Sequence, residues 1–472
     1  MRRGPFSNRR RFYIDLVLLV TAALLTSLPL AAQGLAAAPL TLSDAVQLAV
    51  RNYPAIRETR ARAQAAEARI DVDRTAYLPR LDLLWQENRA TTNNVFGLLL
   101  PQPVVPPVSG PVLGTRSLSD SIWGSAAGAL LTWEAVDFGE RRARVEVARA
   151  QSVLARSQSV LAELEVAAAA ADAFLTVLAA DEGVRAARAN VNRLEVFDTS
   201  VRTLVQHQLR PGADQSRADA ELAVAKNQLS QAVQSAASAR ATLAEATGMA
   251  GAAVDVAPGS FQTTPDTALQ PGDVKSHPAA QAEHAAVDVV HAQEHELGRA
   301  YLPKITLQSA FAVRGTGATL PGVPSSGNGS WPNVPNWAVG ASITFPAFDI
   351  FSVQARRRAV DQDAIAEAAR YDRTVQGLTT QEVKARALLS SAAEIAKNTP
   401  VERQAASEGE NQIRARYQSG LANVAEVADA QRLLAQAEAD DAIAHLGVWR
   451  ALLAVAQARG DLTLFLDQAA RP

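Results

Sequence analysis

The segment Tyr301-Leu-Pro-Lys-Ile-Thr-Leu307 decides the fold, because it repeats Tyr77-Leu-Pro-Arg-Leu-Asp-Leu83 from the first half of the chain. Each copy begins 23 residues after a proline, Pro278 or Pro54. Landmarks that recur in the same order indicate that one structural unit was duplicated. We therefore interpret the 472 residues as one duplicated object rather than as about three unrelated domains.

Two further pairs of segments support the duplication. Trp133-Glu-Ala-Val-Asp-Phe-Gly139 corresponds to Phe345-Pro-Ala-Phe-Asp-Ile-Phe351, and Gln208-Leu-Arg-Pro-Gly212 corresponds to Tyr417-Gln-Ser-Gly420. The pairs predict a first repeat over 34–248, a linker over 249–275 and a second repeat over 276–472.

Residues 1–33 have the pattern of a secretory signal peptide. Several arginines precede an apolar run, Leu16 to Leu30, and small residues follow, with cleavage expected near Gln33 or Ala38. The run is shorter than the roughly 20 apolar residues that span a bilayer, although an uncleaved anchor helix remains the alternative. The pattern predicts export from the cytoplasm.

Charge and cysteine content exclude some classes of protein. The formal net charge is −2, so the chain has no basic excess with which to neutralise the phosphates of a nucleic acid. The sequence contains no cysteine, which excludes disulfides, thiolate chemistry and a lipid-modified N-terminal cysteine.

Each repeat is predicted to contain a β-hairpin after a helix of about 22 residues. Pro54 and Pro278 fit the first position of such helices, where the missing N–H has no intrahelical acceptor. Apolar residues then alternate with polar or small ones, which predicts two-faced strands in hairpins over 80–133 and 304–347. Loops rich in proline or glycine, Gly97–Gly114 and Gly315–Pro335, join the strands.

A very long helix is predicted after each hairpin, over 140–208 and 352–418. Nearly 70 residues of helix form a rod of about 100 Å, and apolar residues at heptad spacing indicate a coiled coil. Returning helices are expected over 214–247 and 421–457. Pro400 predicts a kink or a short break in the second rod.

Four strands in one chain cannot close a membrane barrel. Membrane barrels need at least about eight strands, and an open sheet edge in lipid leaves backbone groups without hydrogen bonds. Several copies must therefore share one barrel, and three copies would supply twelve strands. The pattern predicts a mixed fold, mostly α, in which a common barrel continues into a ring of antiparallel helices.

Several segments resemble the TolC-like outer-membrane efflux proteins over almost the whole mature chain. They are Leu40-Thr-Leu-Ser-Asp-Ala-Val-Gln-Leu-Ala-Val50, the two Tyr-Leu-Pro signals, Phe348-Asp349 and the segment after Gly420. The resemblance implies a homotrimer in the outer membrane, a 12-stranded barrel and a periplasmic α-barrel. It also implies a periplasmic adaptor and an inner-membrane transporter as partners, and no cofactor.

The same resemblance implies roles for residues near the two helical turns. It places Gly212 and Gly420 at the periplasmic tip, where the adaptor docks, and we expect a left-handed or tightly approached backbone there. It implies that Glu426 and Asp429 form an acidic ring at the pore constriction, and that Tyr417 takes part in gate hydrogen bonds.

Other readings of these tip residues remain open. Acidic residues near a helix start also complement the helix dipole, and Asp219 and Asp214 on the first tip are the next candidates for the ring. Ala422 stands where some relatives have an arginine, and position 218 is also alanine. We therefore expect the gate to be held differently from theirs.

Two alternative functions have some support in the sequence. A coiled-coil structural or adhesive surface protein would also contain long helices. His291-Ala-Gln-Glu294-His295 fits a zinc-hydrolase pattern, but no third ligand stands out, and solvated or adventitious metal binding is the other reading. The arginine clusters Arg141–Arg144 and Arg356–Arg358 are interpreted as solvated helix starts.

Overall fold

The computed structural model describes residues 39–91, 121–259, 261, 263–267, 272–317, 327–346 and 348–471. The predicted signal peptide, the loop predicted over 97–114 and part of the loop predicted over 315–335 lie outside the described residues.

The elements occur in the same order twice. The first series comprises α1 (Leu42–Asn52), α2 (Pro54–Thr75), β1 (Arg80–Thr91), β2 (Ser121–Val136), α3 (Glu140–Gln206) and α4 (Gly212–Ala246). The second comprises α5 (Pro278–Leu297), β3 (Lys304–Thr316), β4 (Val334–Thr344), α6 (Asp349–Gln418) and α7 (Val424–Arg459), followed by the short α8 (Thr463–Ala469).

Local sequence signals set the starts of several helices. The Thr41 side chain accepts a hydrogen bond from the Asp44 N–H, and the Asp44 carboxylate accepts one from the Thr41 N–H, which makes a capping box at α1. Pro54 and Pro278 occupy the first turns of α2 and α5, as predicted. Gly139, with a φ of 101°, leads directly into α3.

The two rods α3 and α6 contain 67 and 70 residues. Each packs along its returning helix, α3 on α4 and α6 on α7, and α3 also packs on α7 to join the two pairs. A kink or a short break was predicted at Pro400. The break is wrong, because α6 continues through this residue, and the kink stays a prediction. Pro400 has no backbone N–H, so one helical hydrogen bond is missing, but the neighbouring turns and the packing on α7 keep the helix intact.

The four strands form one antiparallel sheet in the order β1-β2-β3-β4. One row of paired residues crosses it as Leu83, Ala129, Phe311 and Trp337, and the next row crosses as Leu84, Gly128, Ala312 and Asn336. Because paired residues share a face, the first row lies on an apolar face and the second, apart from Leu84, on a face of small and polar residues.

The main hydrophobic core lies far from the tips. An aromatic chain runs from Phe174 of α3 through Phe261 of the linker to Trp449 of α7 and Phe465 of α8, with ring centroids 5.0–6.1 Å apart. The Trp449 indole N–H donates to the Thr263 carbonyl at 2.8 Å. This core fixes the linker and the C-terminal helix to the rods.

Within the part of the chain that the structure describes, no helix combines the length and the apolar composition needed to cross a membrane.

Candidate functional site at the helical tips

The two tips are built by the same backbone motif. After α3, the N–H of Leu209 donates to the Leu204 carbonyl at 2.9 Å, and after α6 the N–H of Leu421 donates to the Arg416 carbonyl at 2.8 Å. The residue before each donor is left-handed, with φ of 58° at Gln208 and 79° at Gly420. This is the Schellman arrangement that ends many helices.

The expected backbone at the tip glycines is confirmed only in part. Gly420 is left-handed, which confirms the expectation there, and a Cβ at this position would meet nothing within 4 Å. Gly212 is not left-handed and a Cβ there would also meet nothing, because it is the first residue of α4. In the first tip Gln208 takes the position that Gly420 has in the second.

Tyr417 links the two tips of one chain. Its side chain is buried, its hydroxyl donates to Oδ2 of Asp214 on α4 at 3.3 Å, and its ring lies 5.7 Å from Phe197 on α3. The guanidinium of Arg210 lies 4.3 Å from the centre of the ring and donates to the Tyr417 carbonyl. Burial, together with the Asp214 charge, raises the pKa of the Tyr417 hydroxyl above its usual value.

Ala218 and Ala422 are buried in the apolar cluster around Tyr417. The arginine that packs on this tyrosine comes instead from the α3–α4 turn. Arg210 and Asp214 are therefore the residues that hold Tyr417, and both belong to the opposite repeat.

A second polar link joins α3 to α4 near the first tip. Arg202 donates to Asp198 at 3.0 Å and to Asp219 at 2.9 Å, so one guanidinium bridges two carboxylates. Burial raises the pKa of Asp198, and the neighbouring Asp219 adds to the rise while Arg202 opposes it. Asp219 is therefore part of the link between the two helices of the first pair.

Glu426 and Asp429 lie on the first turns of α7 with different local partners. Glu426 completes a capping box, since its carboxylate accepts from the Asn423 N–H at 3.3 Å and its own N–H donates to the Asn423 side chain at 3.0 Å. Asp429 is exposed and pairs with Arg432 at 2.5 Å. The local role of Glu426 is that of a helix cap, and Asp429 is the more accessible carboxylate.

The His291, Glu294 and His295 motif lies on α5, far along the chain from the tips, with both histidines exposed. Among the residues that the structure describes, no group of three or more His, Cys, Asp or Glu side chains is placed to hold a metal ion. A zinc hydrolase needs three protein ligands. The described part of the chain therefore contains no set of residues that could serve as the ligands of a zinc hydrolase.

The sequence profile of the outer membrane efflux protein family matches residues 45–249 and 274–461. The two matched stretches contain both helix pairs and all four strands. The chain belongs to the outer membrane efflux protein family, as the TolC-like resemblance predicts, and its function is in efflux at the outer membrane.

Solved structures share this fold. The chain is similar to the outer-membrane channel OprN, with 22% identity over 89% of each chain and a TM-score of 0.73. It is also similar to the open state of the MtrE outer membrane channel of Neisseria gonorrhoeae, with 20% identity over 89% of each chain and a TM-score of 0.71. For the Campylobacter jejuni CmeC outer membrane channel the identity is 15%, over 89% of this chain and 85% of that one, with a TM-score of 0.72. No curated protein sequence matches the chain.

Proposed function

We propose that this chain is the outer-membrane exit duct of a tripartite efflux system. Three copies close a barrel of twelve strands, and their helix pairs form a periplasmic α-barrel below it. The duct is a passive conduit without catalysis, which a periplasmic adaptor and an inner-membrane transporter open at its tip.

The exposed apolar face of the sheet carries this proposal. Leu83, Phe311 and Trp337 in one cross-strand row are 78%, 56% and 78% exposed, and all of β4 is exposed. The strands contain 11–16 residues, whereas about 9–11 suffice to cross a membrane at a tilt. A water-soluble protein would bury such an apolar face, whereas in a membrane the face can contact the hydrocarbon chains of the lipid.

The two end strands explain why several copies are needed. Within the described sheet, β1 and β4 each have one edge without a neighbouring strand. In lipid those edge groups would lack hydrogen bonds at several kcal/mol each. Pairing β4 of one copy with β1 of the next satisfies them and closes a ring by rotation.

The tips are the proposed gate and docking surface. The turns at Gly212 and Gly420 are exposed, as TolC-like channels require for contact with an adaptor. The bonds from Tyr417 to Asp214 and Arg210 join the α6–α7 pair to the α3–α4 pair, so these bonds must break when the pairs separate. We assign Asp429, supported by Glu426, to an acidic ring at the constriction.

Native mass spectrometry of the mature chain, residues 34–472, in detergent tests the assembly. We expect trimers that form pores in planar bilayers. A stable, water-soluble monomer would contradict the proposal, and a trimer without conductance would favour the structural or adhesive alternative. Deletion of the gene, complemented with the intact sequence, should then lower resistance to at least one compound in a susceptibility panel.

A further inference from the structure

We propose that His291 and His295 form a binding site for one transition-metal ion, such as Cu²⁺, Ni²⁺ or Zn²⁺, on each chain. The two residues are four positions apart on α5, so both imidazoles lie on one face of the helix, one turn apart. In the single chain their side chains are 60% and 54% exposed, so an ion from solution can reach them there. Imidazole nitrogen is a preferred ligand for these three metals.

A carboxylate from the first repeat lies beside His295. Its Nδ1 lies 3.6 Å from Oε2 of Glu146 on α3. The other oxygen of Glu146 accepts a hydrogen bond from Arg142 at 3.1 Å, which keeps the carboxylate directed at the imidazole.

His291 also lies beside a carboxylate, in this case one from α5 itself. Nδ1 of His291 lies 3.8 Å from Oε2 of Glu294, and Oε1 of Glu294 lies 3.4 Å from the guanidinium of Arg357 on α6. Each imidazole therefore faces a carboxylate that is itself held by an arginine near the start of a long helix.

Both carboxylates lie just beyond hydrogen-bond distance of Nδ1 in this structure, and a small side-chain rotation would let each accept that N–H. A histidine that binds a metal usually donates its other ring N–H to a carboxylate, which fixes the tautomer and makes the ligand nitrogen more basic. With Nδ1 of both residues facing a carboxylate, the two Nε2 atoms remain for the ion. Glu146 and Glu294 then support the site without binding the metal, in agreement with the lack of a three-ligand group among the described residues.

Two protein ligands leave the other coordination positions of the ion to water or to small molecules with donor atoms. The site therefore differs from a closed structural zinc site, which has four protein ligands. It lies at the end of α5, next to β3, where the helices meet the sheet. In a closed assembly of identical chains, equivalent sites would form a ring around the axis at that level.

His284 provides a matched internal control. It lies on the same helix, is 63% exposed, and its Nδ1 lies 3.2 Å from Asp288. The residues one turn after and one turn before His284 are Asp288 and Ala280. His284 therefore has no second imidazole beside it on this face of the helix. His284 and Asp288 together offer one imidazole and one carboxylate, a weaker donor set for Cu²⁺ and Ni²⁺ than two imidazoles, so His284 should contribute little to the affinity.

The test is isothermal titration of the untagged mature chain in detergent with CuSO₄, NiCl₂ and ZnCl₂. We expect one ion per chain, loss of that binding in the double variant His291→Gln with His295→Gln, and no change in His284→Gln. Replacing both carboxylates, by Glu146→Gln with Glu294→Gln, should weaken binding about 10–100-fold while leaving both imidazoles present.

Pulsed electron paramagnetic resonance of the Cu²⁺-loaded chain should detect two imidazole nitrogens. The proposal is overturned if the double histidine variant keeps the stoichiometry and affinity, or if His284→Gln lowers them equally. Circular dichroism and native mass spectrometry of each variant check folding and assembly. Because metal binding is measured without conductance, a conducting trimer that binds no ion would overturn this proposal alone.

Discussion

Replacing Arg210 by alanine should favour the open tip. The change removes a cation–π contact with Tyr417, worth about 0.5–2 kcal/mol, and a charge-assisted hydrogen bond to its carbonyl, worth about 1.5–3 kcal/mol. The carbonyl also accepts from the Gly420 N–H, so removal of Arg210 does not leave it unpaired. We therefore take a value near the lower limits, about 2 kcal/mol per chain.

A change of about 2 kcal/mol multiplies the ratio of open to closed tips by about 30 if each chain moves alone, since 1.4 kcal/mol corresponds to tenfold. The effect would be larger if three chains open together. The measurement is the open probability of single channels in planar bilayers at low voltage. Tyr417→Phe keeps the ring and loses only the hydroxyl bond to Asp214, so it should change the ratio about 3–10-fold.

Arg217→Ala is the matched control, because this arginine is exposed on α4 and should leave the open probability unchanged. The reasoning fails if Arg210→Ala and Tyr417→Phe both conduct like the parent, or if Arg217→Ala opens the channel as much as Arg210→Ala does.

Three further predictions concern the tips and the rods. Gly420→Ala should speed amide hydrogen exchange at the second tip, because a left-handed alanine costs about 1–2 kcal/mol. Gly212→Ala should leave the exchange at the first tip unchanged. Equal exchange in both variants would contradict the assigned backbone conformations. Trivalent cations should block conductance from the periplasmic side, and Glu426→Ala with Asp429→Ala should relieve the block with the pore intact; an unchanged block would place the ring elsewhere. Burial alone would raise the pKa of Glu382, but hydrogen bonds from Arg386, the Gly272 N–H and Arg459 outweigh it and hold the pKa below 4.5. The ionised Glu382 carboxylate therefore stabilises the fold above pH 4.5, and this stabilisation is lost as the pH falls through the folded-state pKa. The melting temperature of Glu382→Gln should therefore fall less steeply below pH 4.5 than that of the parent. An unchanged dependence of melting temperature on pH would exclude that role.

Features that depend on neighbouring residues were predictable from the sequence. The prolines at the starts of α2 and α5 and the alternation along β3 are local signals. They gave the order of the elements and the two faces of the sheet. The start of α3 at Glu140 was also predicted.

Features that depend on distant residues were not predictable. The partners of Tyr417 lie more than 200 positions away, and no spacing rule connects Arg210 to it. The error at Gly212 arose because the repeats were aligned glycine to glycine. In the structure the left-handed residue of the first tip is Gln208, which the sequence pattern does not distinguish from its neighbours.

The two free edges of the sheet have a genetic consequence. A ring closed by head-to-tail pairing needs a working β1 edge and a working β4 edge from every copy. If three copies assemble as proposed, a cell that makes equal amounts of normal chain and of a chain with a defective edge would have only about one trimer in eight built of normal copies alone. Edge mutations should therefore be dominant over the normal gene, whereas a mutation that prevents export of the chain should be recessive.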